Sequence, residues 1–222
     1  MATSALPVQD IEPVGAGSLG VHPVVGTSPL DERLFDEYLP NSRGVKPCYE
    51  IIDGVIYMMA SPKFWHQRVF SEMFFQLKQQ LASHGCEVMQ APFDVYLFWE
   101  EGDKKNYVEP DLFITCDQEQ IKRLRASEQD YYHGAPKFIV EILSPGHESH
   151  DLVLKAQLYY RAGVTEYWAV DPLGRTIHIF TLPEDGVEYR IKILEAQDTI
   201  PLASFPGCAV DFNAIFQDEQ KE

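Results

Sequence analysis

Apolar positions between residues 63 and 83 recur at helical spacing. Phe64, Trp65, Val69, Phe70, Met73, Phe74, Leu77 and Leu81 fall on one broad stripe, which predicts a long amphipathic helix seated on a core. Before it, Tyr49–Met58 reads as two short strands joined by Asp53-Gly54, a pair suited to a two-residue turn with positive φ at both positions. Strand patterns follow near 86–99 and 107–115, then a polar, partly helical insertion over 116–134. Lys137–Leu143 is a compact apolar run, the mark of a buried strand, and Ser144-Pro145-Gly146 breaks it. A helix is expected from Ser149 or His150 to about Ala162, with Gly163 closing it. Strands at 166–170 and 175–180 flank an Asp171-Pro172-Leu173-Gly174 turn. A last strand over about 187–194 and a short helix near 211–216 complete the pattern.

Residues 1–27 are rich in Gly, Pro, Val and Ser without a sustained period and read as a poorly ordered tail. A helix is expected next. Ser28 can cap it, Pro29 suits its first position, and Leu30, Leu34, Phe35 and Tyr38 form its apolar face up to Pro40. With 217–222 as a C-terminal tail, residues 28–216 form one expected domain.

Composition narrows the class. Hydrophobic residues make up 45% of 222, with 13 Phe and 11 Tyr to fill a core. No apolar run approaches the roughly 20 residues that span a bilayer, and the N-terminus lacks a basic start and apolar segment. A cytoplasmic protein without a membrane span is therefore expected. Cys48, Cys86, Cys116 and Cys208 form no CxxC pair, so free thiols are expected rather than a zinc site or a disulfide framework. The formal charge of -16 argues against a broad electrostatic grip on nucleic acid. A cation-binding pocket, by contrast, is acidic by nature.

Two carboxylates carry the candidate chemistry. Glu141 lies inside Ile139-Val140-Glu141-Ile142-Leu143, where an ionised acid is costly unless paired or bound to a cation. A buried salt bridge, a protonated acid and a metal ligand all answer that cost. Asp111 heads Leu112-Phe113-Ile114. Two acids on neighbouring strands can offer hard oxygen ligands to Mg²⁺ and leave room for water and phosphate.

Pro110-Asp111, with a strand Glu about thirty residues on, resembles the PD-(D/E)XK nuclease superfamily. Over a longer stretch the chain resembles the Uma-type restriction endonucleases. Tyr49-Glu50-Ile51-Ile52-Asp53-Gly54, His66, Val108-Glu109-Pro110-Asp111-Leu112 and Val140-Glu141-Ile142-Leu143-Ser144-Pro145 carry this likeness. So do Asp151, Lys155, Tyr159 and Gly163–Pro172, and the likeness spans about residues 28–216. It implies an α/β fold: a restriction-endonuclease-like mixed sheet with flanking helices and an added N-terminal hairpin. It also implies Mg²⁺- or Mn²⁺-dependent hydrolysis of phosphodiesters in nucleic acid, with DNA the expected partner.

One position departs from the superfamily pattern. The lysine two residues after the Glu is replaced by Leu143. Lys155 is the candidate substitute, with Asp151 one helical turn earlier to orient it; an exposed Asp-Lys pair is the plain alternative. Lys137 shares a strand face with Glu141 but stands at the strand's start. The resemblance adds Glu50 to the metal ligands Asp111 and Glu141, and an exposed hairpin glutamate is its plain alternative. His66, at the start of the long helix, is a candidate contact for phosphate or a metal-bound water, with a capping or surface role as its competitor. His147 and His150 are read as loop and helix-start residues, and Tyr159 as packing more than site. A noncatalytic nuclease-fold binding protein and a hydrolase of smaller phosphodiesters stand as alternatives. A homodimer fits the aromatic surplus, with no interface legible.

Overall fold

The structure is a computed structural model that describes residues 49–59, 61–97, 106–146, 148–183 and 188–216. The expected helix over 28–40, Cys48 and His147 lie outside the described residues.

Strands β1 (Tyr49–Ile52) and β2 (Val55–Met58) form the expected hairpin, paired Ile52 to Val55. Asp53 and Gly54 take φ of 51° and 79°, the left-handed pair that such a turn demands. Helix α1 runs Phe64–Leu81 and buries Val69, Met73, Leu77 and Leu81. The 86–99 pattern divides into β3 (Glu87–Gln90) and β4 (Val95–Tyr96). The 107–115 pattern divides into β5 (Tyr107–Val108) and β6 (Leu112–Thr115). The polar insertion holds α2 (Gln118–Arg125), capped by the Asp117 carboxylate, and β7 (Tyr132–His133).

Strand β8 (Phe138–Ile142) is fully buried, as its composition demands. The following helix opens with a π-helical turn, His150–Lys155, and continues as α3 (Ala156–Ala162) to Gly163 at φ 83°. Strands β9 (Glu166–Asp171), β10 (Thr176–Thr181) and β11 (Arg190–Glu195) follow. The chain then adds β12 (Thr199–Pro201), β13 (Ala209–Asp211) and α4 (Phe212–Phe216). The β12–β13 pair has no counterpart in the sequence expectation, because its strands are short and interrupted by turn residues.

The central sheet has the order β11-β10-β9-β8-β6-β3, and a second sheet has the order β2-β1-β5-β4-β7. In the central sheet β8 and β9 run parallel and the other neighbours antiparallel. One face of it packs Phe138, Val140 and Ile142 against α1 and the C-terminal segment through Met73, Leu77, Phe212 and Ile215. The opposite face packs Ile139 and Leu143 against Leu158 and Tyr159 of α3 and against Ile52 and Val108 of the second sheet. Strand alternation thus decides where Glu141 points. It shares the face of Ile139 and Leu143, toward α3 and the second sheet.

The expectation of free thiols is corrected at one pair. Cys86 and Cys116 form a disulfide. Glu87 pairs with Thr115 across β3 and β6, and the next step outward sets the two cysteines opposite each other. Their separation of 30 residues conceals that proximity in the sequence. Cys208 is a buried free thiol.

Candidate active site

Asp111 and Glu141 meet through strand register. Leu112 pairs with Val140 in the antiparallel β6–β8 ladder, so one step outward brings Asp111 opposite Glu141 on the same face. Asp111 Oδ2 accepts a hydrogen bond from the Ile142 amide at 2.7 Å. His66, in the first turn of α1, brings Nε2 within 3.1 Å of the same oxygen. Asp111 also anchors β3 through its carbonyl, which accepts from the Ala91 amide.

Lys155 is not the exposed partner of a surface Asp-Lys pair. It is 2% exposed and its Nζ lies 2.9 Å from Glu141 Oε1, 2.8 Å from Glu50 Oε1 and 3.6 Å from Asp151 Oδ1. The Tyr159 hydroxyl donates to Glu141 Oε1 at 2.5 Å, so Tyr159 belongs to the site as well as to the core. Leu143 occupies the superfamily's lysine position and is buried in the core on this face. The ammonium arrives instead from the helix packed above the strand. Lys137 lies elsewhere, with its Nζ over the Phe205 ring.

Glu50 reaches this cluster from β1. Its Oε1 accepts from the Glu109 amide at 3.1 Å as well as from Lys155, and its Oε2 faces His150 Nε2 at 3.4 Å. His150 was expected only to start a helix. The π-helical turn changes its reach, because the wider turn brings positions 150 and 155, five apart, toward one side. No sequence signal marks this, since a π turn has no pattern of its own.

Electrostatics separate the acids. Burial pushes the Glu141 carboxyl well above its usual range; Lys155 opposes this, and Asp111, Glu50 and Asp151 add to it. Burial acts on Glu50 in the same sense, but Lys155 and His150 outweigh it and hold that carboxyl below its usual value. Burial alone would lower the Lys155 ammonium, yet Glu141, Glu50 and Asp151 hold it well above the ordinary lysine value. Burial also raises Asp151, against Lys155. Glu50 and Lys155 are thus shifted toward their charged forms, and Glu141 and Asp151 toward their neutral ones.

The donor set fits a small hard cation in a limited way. The hydrogen bonds to Glu141 converge on Oε1, and Asp111 takes both the Ile142 amide and the His66 contact on Oδ2. That leaves Glu141 Oε2 and Asp111 Oδ1 without a hydrogen-bond partner among the described residues. Both oxygens of Glu50 are engaged. Among the described residues no three His, Cys, Asp or Glu side chains converge as a ready-made metal cage. Mg²⁺ is commonly held by one or two carboxylates with water completing its shell, so two free oxygens meet that requirement. Among the described residues no helix is long and apolar enough to cross a membrane.

Comparison with known proteins agrees with this architecture. The crystal structure of a putative nuclease belonging to DUF820 from Anabaena variabilis superposes with a TM-score of 0.63, covering 78% of this chain and 92% of that one at 19% identity. At that identity the likeness concerns the fold. An uncharacterized protein of Synechocystis sp. is 26% identical over 192 residues, 86% of this chain and 95% of its own length. The sequence model of the Uma2 family, described as "putative restriction endonuclease", matches residues 35–213. With that match over most of its length, the chain belongs to the Uma2 family of putative restriction endonucleases.

Proposed function

We propose that the protein is a metal-dependent endonuclease that hydrolyses phosphodiester bonds of nucleic acid, with DNA as its substrate. The observation that carries this reading is the opposition of Asp111 and Glu141 beside the buried Lys155 ammonium. Asp111 and Glu141 would hold Mg²⁺ or Mn²⁺. Bound there, such a cation supplies Lewis-acid chemistry, easing the deprotonation of water and offsetting charge on phosphate.

The protein's own groups have distinct tasks. The Ile142 amide and His66 hold the Asp111 carboxylate on the strand face where it meets Glu141. Tyr159 and Lys155 fix the Glu141 carboxyl through one oxygen and leave the other free. Lys155, already charged and buried, offers its ammonium to negative charge developing on phosphate, and such fixed charge is strongest where water is excluded. Asp151, Glu50 and Glu141 keep that ammonium charged. A homodimer would present a second site to the opposite strand.

One observation favours a noncatalytic binding protein with a nuclease fold. Lys155 already neutralises much of the acid cluster, in a chain of net charge -16. One experiment decides between the two readings. Supercoiled plasmid and single-stranded DNA are incubated with the protein at low salt, in Mg²⁺ and then Mn²⁺, beside Asp111→Ala and Glu141→Ala. Cleavage that needs metal and vanishes in both variants supports the enzyme. Absence of cleavage together with absence of metal binding rejects it.

A further inference from the structure

We propose that His150 is a positioning residue of this site, acting through Glu50 on Lys155, and that Glu50 serves as the lysine's anchor and not as a metal ligand. The proposal rests on the hydrolytic reading above for its catalytic consequence, but not for its geometry.

Three observations carry it. First, the two Glu50 oxygens are divided. Oε1 takes the Glu109 amide and Lys155, and Oε2 faces His150 Nε2 at 3.4 Å. Both oxygens of this carboxylate are thus taken up by protein groups. Second, the His150 ring is itself placed from outside the helix. It packs on Tyr57 of β2, with centroids 4.7 Å apart and planes at 54°. Glu50 pairs with Tyr57 in the β1–β2 ladder, so the hairpin supplies both the acid and the ring that steadies its partner. Third, His150 and Lys155 open and close the π-helical turn. The irregular turn brings both to the same carboxylate, and relaxing it to an α-helix would rotate one of them away.

Together these contacts make one chain of polar groups, His150–Glu50–Lys155–Glu141–Tyr159, running from the hairpin to the core of the central sheet. His150 stands at its outer end, with its side chain 20% exposed. Nε2 must carry the proton to face a carboxylate. Removing the ring leaves Oε2 free to turn, and the ammonium that shares this carboxylate is then held by one less fixed partner. The geometry assigns His150 no contact with Glu141 or Asp111, so metal binding does not depend on it.

The test uses the full chain with His150→Ala, His150→Gln and Lys155→Ala. The Lys155 ammonium is followed by NMR of protein labelled with ¹⁵N at the lysine side chains. Its resonance is identified as the one that Lys155→Ala abolishes. Titration calorimetry with Mn²⁺ and the rate of plasmid cleavage are measured alongside. His150→Ala is expected to shift or broaden the Lys155 resonance and to lower kcat by about tenfold, in the range for partners that orient site residues. KM and Mn²⁺ affinity should stay within about twofold of the parent, since neither rests on this contact. His150→Gln, which keeps a donor at the ring's edge, is expected to restore the resonance in part. An unchanged Lys155 resonance in His150→Ala overturns the proposal. So does a tenfold loss of Mn²⁺ affinity, which would make the His150–Glu50 pair part of the metal site. If the resonance moves while the parent cleaves nothing, the positioning role stands and the nuclease reading falls.

Discussion

Asp111 stands directly opposite Glu141 across the β6–β8 ladder, one step beyond the Leu112–Val140 pair. Two acids facing each other across a ladder repel if both are ionised, so the arrangement costs stability unless a proton or a cation intervenes. Lys155 relieves part of that cost, and burial shifts the Glu141 carboxyl toward its neutral form, which works in the same sense.

Glu141→Gln therefore separates fold from function. Glutamine keeps an oxygen for Lys155 and Tyr159 and removes a charge that burial already disfavours. Urea unfolding in a chelating buffer should give a stability within about 1 kcal/mol of the parent. Mn²⁺ should raise the melting temperature of the parent and leave that of Glu141→Gln unchanged, because a cation stabilises only a state that binds it. Equal stabilisation of both would remove Glu141 from the metal site.

The buried strand, the hairpin and the long helix were legible because each rests on a local rule: a short apolar run, an Asp-Gly turn, a helical period. The acid pair was legible through motif order. What the sequence could not give was which buried acid is left with a free oxygen. Glu166, fully buried in β9, is as costly as Glu141 by sequence, yet its carboxylate accepts from Trp168 Nε1 and from the amides of Ala203 and Ser204. The two amides lie 37 and 38 residues away and belong to a turn that no motif marks. The disulfide and the His150 contact were hidden for the same reason, since strand register and a π turn decide them.

Glu166→Gln makes that contrast measurable. A glutamine cannot accept from all three donors, and its own amide meets donors where it needs an acceptor. Stability should fall by about 1–3 kcal/mol by urea unfolding. Cleavage per folded molecule should not change, because Glu166 has no contact with the acid cluster among the described residues. A selective loss of cleavage at unchanged stability would give Glu166 a role in the site.

The Cys86–Cys116 bridge closes a 30-residue loop and ties the edge strand β3 to β6 at the end remote from Asp111. Loop closure of that length is worth about 3 kcal/mol when the unfolded chain gains freedom on reduction. Melting with and without dithiothreitol should show a drop of about 5–10 °C in the parent. The double variant Cys86→Ser/Cys116→Ser should melt at the lower temperature under both conditions. Identical parent melts in the two buffers would mean that the bridge contributes nothing to stability.

The last prediction concerns Lys155, whose removal strands three acids in the interior. Breaking a buried charge pair by deleting one partner typically costs about 3–5 kcal/mol. Lys155→Met retains much of the stem's packing and deletes the charge, so it isolates the electrostatic loss. In a chelating buffer near neutral pH the variant should unfold about 3 kcal/mol more easily than the parent. The pH dependence has a definite sign. In the parent Glu50 is held below its usual carboxylate value, so its stabilisation is present above that usual value and is lost as pH falls through the lowered one. Lys155 is held well above the ordinary lysine value, so its contribution is complete below that value and is lost only as pH rises past the raised one. The stability gap between parent and Lys155→Met should therefore be widest at neutral pH and narrow on acidification, when the stranded carboxyls of the variant take up protons. Urea midpoints for both proteins from pH 7 down to pH 4 measure this directly. A gap that stays constant over that range would show that the loss in Lys155→Met is not set by the charge of these carboxyls.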